Sequence, residues 1–268
     1  MYFPPFINIG YETIMTYEKK KAFFDKVLTI YGRKPVQEAL NNDQIRCFKL
    51  HLADSNKPAK ILNECIQIAE QKGVEIQILN KKQLSFISKN AKQDQGIALD
   101  ILLEESLSLE EVLQQKKKRL LLLDNVTNPQ NIGMIIRTAT AGDIDAILIP
   151  EKGCAELGPL VIKSSVGAIF HAPIVRVKQA AGAIEAIKAA GIGHKITALA
   201  LSHDSQNYFS LKQDEPRVFI VGNESEGVSQ KVLSISDEKV MIPMNNQVES
   251  LNVATSVALI AFATHFTP

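Results

Sequence analysis

The chain has no tryptophan, only three cysteines, and no apolar run near the roughly 18 residues of a membrane span. Cys47, Cys65 and Cys154 are too few and too scattered for a disulfide framework or a zinc cluster. That usage points to a reducing compartment and hence to a cytoplasmic protein. Charge of one sign is also lacking, with 30 basic against 29 acidic residues. The balance is uneven along the chain, however. Residues 15–104 hold 15 Lys/Arg against 11 Asp/Glu, and residues 105–268 hold 15 against 17. A basic binding module joined to a near-neutral one is the expected layout. With 268 residues and 46% hydrophobic content, wholesale disorder is excluded and there is room for one large domain or two modest ones.

Familiar chemistry is missing as well. Gly191-Ile-Gly193 lacks a third glycine and precedes a strand, so the dinucleotide fingerprint is absent. No phosphate loop or nucleophile elbow occurs. His51, His171, His194, His203 and His265 lack metal-type spacing and read as structural, so no metal is expected.

What remains is alternation. Residues 1–14 (MYFPPFINIGYETI) carry no basic n-region and read as a leader or flexible arm, with Met15 as a possible true start. From Ile45 the pattern predicts a strand to Leu52, a helix over Ala59–Lys72, a strand over Val74–Leu79, a helix over Lys81–Ser88 and a strand over Gly96–Leu103. This is an α/β unit of residues 15–104, large enough for its own core. Residues 105–118 form a linker, with a helix expected over Ser106–Arg119. Its terminal Lys116-Lys117-Lys118-Arg119 run is either a solvated helix end or an RNA contact.

Residues 119–268 restart the alternation. Strands are expected at Leu120–Asp124, Asp145–Ile149, Pro173–Val177, Lys195–Leu201, Arg217–Gly222 and Val240–Ile242. Helices are expected at Pro129–Ala141, Leu157–Ser165, Ala180–Ala190, Val228–Ser234 and Ser250–Phe266. The class is α/β, a mostly parallel sheet with helices on both faces.

Three polar islands sit at the ends of predicted strands, where open parallel sheets bind ligands. In the first, Asn131 and Arg137 share a helix. Arg137 is the only charge among Ile132, Met134, Ile135, Ile136 and Ala139, and should meet an anion or pair with Glu224 or Asp124. In the second, Gly222 allows close backbone approach to a ligand, and Glu224 accepts from a ligand or caps the next helix. In the third, Ser250 is the expected N-cap of the last helix, with Asn252 in its first turn.

Taken together, N-x-G-x-x-x-R-T-A (Asn131–Ala139), G-x-E-x-x-G (Gly222–Gly227) and I-P-M…S-L-N-V-A (Ile242–Ala254) resemble the signature motifs of the SpoU (TrmH-like) class of SPOUT RNA methyltransferases. Lys163-Ser-Ser-Val-Gly-Ala168 is a fourth similar segment, and Ile30–Leu40 looks like the opening of the RNA-binding N-terminal domain of the two-domain type. Asp143 and Asn246 stand where the family usually has glycine; both residue types tolerate left-handed backbone.

The resemblance implies a trefoil knot in the C-terminal part and S-adenosylmethionine as cofactor, held near Leu199, Gly222, Ile242 and Leu251. It implies methyl transfer to a ribose 2′-hydroxyl of structured RNA, first a guanosine of large-subunit ribosomal RNA and second transfer RNA. Arg137 is the implied catalytic residue, as base or as phosphate clamp, with Asn131, Glu224, Ser250 and Asn252 holding it and the ribose. A non-catalytic RNA-binding protein of the same fold is the alternative. A homodimer is expected through the last helix, whose small residues Ala254, Ser256, Ala258 and Ala261 would face a partner.

Overall fold

The structure is a computed structural model that describes residues 27–43, 45–89, 93–102 and 107–265. The leader, Met15, and the expected element ends at Leu103, Ser106 and Phe266 lie outside the described residues.

The N-terminal unit runs β1 (Val27–Tyr31), α1 (Arg33–Asn41), β2 (Arg46–Ala53), α2 (Lys60–Gln71), β3 (Glu75–Leu79), α3 (Lys81–Ser88) and β4 (Ile97–Leu102). Its four strands lie in the order β1-β4-β2-β3, with only β2 and β3 parallel. α3 begins where predicted because Asn80 and Gln83 form a reciprocal capping box.

The C-terminal unit continues with α4 (Leu109–Gln114), β5 (Arg119–Leu123), α5 (Pro129–Ala141), β6 (Ala146–Pro150), α6 (Pro159–Ser164), β7 (Ile174–Val177) and α7 (Ala180–Ala189). It ends with β8 (Lys195–Leu199), β9 (Gln206–Asn207), β10 (Arg217–Val221), α8 (Gln230–Ile235), β11 (Glu238–Met241) and α9 (Val253–Ala261). Seven strands pair in parallel in the order β7-β6-β5-β10-β8-β11-β9. β5, β6 and β10 are buried at every residue, and apart from the buried Arg119 and Arg217 that open β5 and β10 they are unbroken apolar runs, as strands covered on both faces must be.

Three expectations need correction. The linker helix is shorter than predicted: it stops at Gln114, and Lys116 turns left-handed at φ 52°. The basic run is therefore no single helix end, because Arg119 goes inside. Its guanidinium donates to the carbonyls of Asp143 (3.0 Å), Gln213 (3.1 Å) and Ile260 (2.8 Å). The last helix starts at Val253, with Asn252 rather than Ser250 as its cap.

The third correction concerns the N-terminal core, which is not separate. One apolar cluster runs from Ile30, Val36 and Leu40 into Ile162 and Phe170 of the C-terminal unit. The joint is also polar: Asn42 Nδ2 donates to the Phe170 carbonyl at 2.8 Å, and Lys163 Nζ donates to the Gln93 carbonyl at 2.9 Å while lying 5.6 Å from the Tyr31 ring centre. Burial in this joint lowers the Lys163 pKa. The fourth motif-like segment, residues 163–168, is thus placed against the N-terminal unit.

Two helices position the site. α5 and α9 lie side by side and run the same way. Their N-terminal ends meet through Asn131 and Asn252, and their C-terminal ends through the Asp143 amide, which donates to the Ala261 carbonyl at 2.7 Å. Gly142 makes the second meeting possible, since a Cβ there would lie 2.6 Å from the Ala261 carbonyl oxygen. Asp143 itself needs no left-handed backbone, whereas Asn246 adopts one at φ 55°.

Candidate functional site

β8, β10 and β11 are neighbours in the sheet, and their C-terminal ends open into a cavity of about 460 Å³. Leu199, Gly222, Ile242 and Leu251 all line it, so the four residues expected at a cofactor come together there. Ser250 and Glu224 line it as well. The volume is within the usual range for a small-molecule site.

Gly222 is needed for steric reasons. A Cβ there would overlap the backbone of Gly227 and Val228, because the loop after β10 folds back on the strand end. Asn223 closes that loop: its Oδ1 accepts from the amides of Ser225 (2.8 Å) and Glu226 (3.3 Å), and its Nδ2 donates to the Asn125 carbonyl at 3.0 Å. Asp124, buried at the end of β5, accepts from the Ser229 amide at 2.7 Å. Asn223 does not stand out in the sequence, and Asp124 does so only as a possible partner of Arg137, not as an anchor of this loop. The Asn-x-Ser-Glu pattern is an Asx-turn signature that would have found the first.

Beside the cavity, Asn252, Asn131 and Glu224 form a relay. Asn252 Oδ1 accepts from the Ala254 amide at 2.9 Å, which forces its Nδ2 to be the donor to Asn131 Oδ1 at 3.1 Å. Asn131 Nδ2 then donates to the Glu224 carboxylate. A backbone donor at one end and a carboxylate acceptor at the other leave only one orientation for both amides. Glu224 is therefore not the cap of α8.

Arg137 lies elsewhere. Asn131 is buried on the α9 side of α5, while Arg137, six residues on, falls on the exposed stripe with Gln130, Met134 and Ala141. Among the described residues it has no carboxylate or hydrogen-bond partner, so the expected pairing with Glu224 or Asp124 does not occur. Nor is it among the residues lining the cavity. The reason is geometric: six helical residues turn about 600°, which carries Arg137 off the face that holds Asn131.

The cavity is acidic. Glu224, Glu226 and Glu249 line it without a Lys, Arg or His among the lining residues. Such a lining fits a ligand that carries positive charge. One wall continues into the turn after β8, where the Ser202 hydroxyl and the Lys239 ammonium hold the Asp204 carboxyl down at about 2.

Residues 118–262 match the family profile described as SpoU rRNA Methylase family, and residues 29–105 match one described as RNA 2'-O ribose methyltransferase substrate binding. A protein of Staphylococcus epidermidis named for the TrmH family of tRNA/rRNA methyltransferases is 30% identical over 240 residues, covering 88% of this chain and 94% of its own. The counterpart of Staphylococcus aureus is 31% identical over 238 residues, covering 87% and 93%. The fold is similar to that of an AdoMet-bound rRNA methyltransferase from Sinorhizobium meliloti, at TM-score 0.73 and 22% identity over 93% of this chain and 92% of that one. It is also similar to the SpoU methyltransferase AviRb of Streptomyces viridochromogenes in complex with AdoMet, at TM-score 0.72 and 22% identity over 92% of each.

Proposed function

Because the chain belongs to the SpoU rRNA methylase family of RNA methyltransferases, we propose that it transfers the methyl group of S-adenosylmethionine to a ribose 2′-hydroxyl of structured RNA. A guanosine of large-subunit ribosomal RNA is the first target to test and transfer RNA the second. The description matched by residues 29–105 supports the ribose reading. The observation that carries the proposal is the acidic cavity at the ends of β8, β10 and β11 with the Asn252–Asn131–Glu224 relay at its side.

The lining residues fit the cofactor. Leu199, Ile242 and Leu251 supply apolar contact, Gly222 leaves the backbone open to approach, and three carboxylates favour a cation. When bound, S-adenosylmethionine supplies an electrophilic methyl group on a sulfonium centre. The chain must then place the 2′-hydroxyl in line and help its proton leave. Glu224, fixed by Asn131, offers a carboxylate oxygen at the cavity, and Ser250 offers a hydroxyl beside it. Arg137 clamps an RNA phosphate in this reading, since a guanidinium is a poor base.

The exposed stripe of α5 and the half-buried Ala258, Leu259 and Phe262 of α9 form the face of a homodimer in this reading, from which Arg137 reaches the RNA. A knotted C-terminal part and a cytoplasmic location complete it.

The test is incubation of the full chain with labelled S-adenosylmethionine and total RNA, followed by nucleoside analysis of the ribosomal and transfer fractions. A 2′-O-methylguanosine product in the ribosomal fraction is expected. Arg137→Lys should abolish most turnover with cofactor affinity kept within a few-fold. Methylation on a base instead of the ribose would overturn the reading.

A further inference from the structure

The catalytic cavity repels a phosphate backbone, so the RNA needs a basic handle elsewhere. A second cavity, of about 580 Å³, lies at one end of the N-terminal sheet. Four loops meet there, and three of them bring a cation: Arg33 at the start of α1, Lys57 between β2 and α2, and Lys81 at the start of α3. The one acid among its lining residues, Asp94, is buried and engaged, accepting from the Ser88 hydroxyl at 3.1 Å and the Gly96 amide at 3.0 Å.

The three cations differ from four lysines of the same unit. Lys34, Lys49, Lys60 and Lys72 each sit within ion-pair distance of a carboxylate, Glu38, Glu75, Glu64 and Asp43 respectively. Among the described residues, Arg33, Lys57 and Lys81 have no such partner. Arg46, Lys82 and Lys89 also lack a carboxylate partner among the described residues, but of these six only Arg33, Lys57 and Lys81 share one concave place.

That place is also preformed. Gln95 Oε1 accepts from the Arg33 amide at 2.8 Å, and Arg33 Nε donates to the Gln95 carbonyl at 3.3 Å. Asn56 Nδ2 donates to the Gly96 carbonyl at 2.7 Å, tying the second loop to the fourth. Ala53 and Leu84 supply an apolar floor. Loops fixed in this way lose little freedom on binding. The same fourth loop is gripped from the C-terminal unit by Lys163, through Gln93.

We propose that this cavity is a docking subsite for a looped, unpaired stretch of the substrate RNA, with Arg33, Lys57 and Lys81 on successive phosphates and one splayed base over Ala53 and Leu84. The proposal rests on the RNA-methyltransferase reading and deepens it by naming where the RNA is held. Unpaired RNA is favoured over duplex because a concave site admits a splayed nucleotide, which a paired one cannot offer.

The experiment measures anisotropy of a labelled RNA hairpin with a loop of about eight nucleotides, and of a fully paired duplex, across a salt series. Three full-length proteins are compared: wild type, Arg33→Gln/Lys57→Gln/Lys81→Gln, and the control Lys34→Gln/Lys49→Gln/Lys60→Gln. Both variants remove the same charge. The expected result is at least about a tenfold loss of hairpin affinity for the first variant only, with its salt slope shallower by about 2. Cofactor affinity by calorimetry should be equal in all three, which also reports folding. Equal losses in the two variants, or none in the first, would overturn the subsite while leaving RNA binding by the chain intact. Tight AMP binding by wild type, with hairpin binding untouched by the variant, would overturn it in favour of a free nucleotide. If wild type binds cofactor but no RNA from hairpin, duplex or total RNA, the wider reading fails with it.

Discussion

Asn252 donates to Asn131 across the start of two parallel helices at 3.1 Å, and this one bond links the third sequence motif to the first. Asn252 also caps α9, and Asn131 passes the connection to Glu224 in the second motif. Three segments separated by up to 121 residues are thereby held in one fixed order of donors and acceptors.

Removing the joint should cost stability and turnover together. Asn252→Ala loses the cap and leaves buried Asn131 without its donor, about 1–3 kcal/mol in all. Asn252→Asp keeps the cap acceptor but opposes it to Asn131 Oδ1. Urea unfolding is expected to rank the alanine variant lowest, while methyl transfer falls in both. An alanine variant with wild-type stability would show that the relay holds nothing.

Much of this frame is legible in the sequence. The bounds of α5 follow from the sequence because Asn128 caps it, Pro129 opens it and Gly142 follows its end. The start of α9 is not legible in the sequence, because Ser250 and Asn252 are both good capping residues. Only the distant Asn131 decides between them. Arg137 was expected to be paired because its neighbours in sequence are apolar. Which face of α5 is covered depends on α9, more than 100 residues away, and no local pattern contains that. β9 has only two residues and leaves no periodicity to detect.

Gly222→Ala should separate the loop from the strand. The added methyl has nowhere to go except into the Gly227 backbone, and overpacking of this kind costs about 1–3 kcal/mol. The loop carries Glu224 and Glu226, so a loss of cofactor affinity beyond tenfold is expected by calorimetry. Unchanged affinity would place the cofactor away from this loop.

The turn after β8 should respond to acid. The Ser202 hydroxyl and Lys239 ammonium hold the Asp204 carboxyl at about 2, below its ordinary value. A depressed folded pKa means that the stabilisation is complete above the ordinary carboxylate range near about 4, and is lost as pH falls toward about 2. Hydrogen exchange at residues 200–205 should therefore be faster in Asp204→Asn than in wild type near neutrality. The two should converge in strong acid. A difference that persists unchanged at low pH would mean that the charge is not what holds the turn.

The dimer face can be tested on α9 now that its two sides are distinguished. Ala254 and Ala261 are buried within the chain, against the core and α5, so they do not face a partner as the small-residue pattern had implied. Ala258, Leu259 and Phe262 remain half-exposed, and on the neighbouring α5 Met134 and Ala141 are exposed beside Gln130 and Arg137. A twofold interface repeats every change in both subunits, so a carboxylate at position 258 would bury two unpaired charges. Ala258→Glu is expected to give a monomer by light scattering, with the fold retained because the position is not core. Cofactor affinity should change little, since the cavity is complete within one chain. Methyl transfer should fall if Arg137 acts from this face. A soluble Ala258→Glu dimer with full turnover would show that the copies meet elsewhere, and would separate the cofactor cavity from any role of this helix pair in assembly.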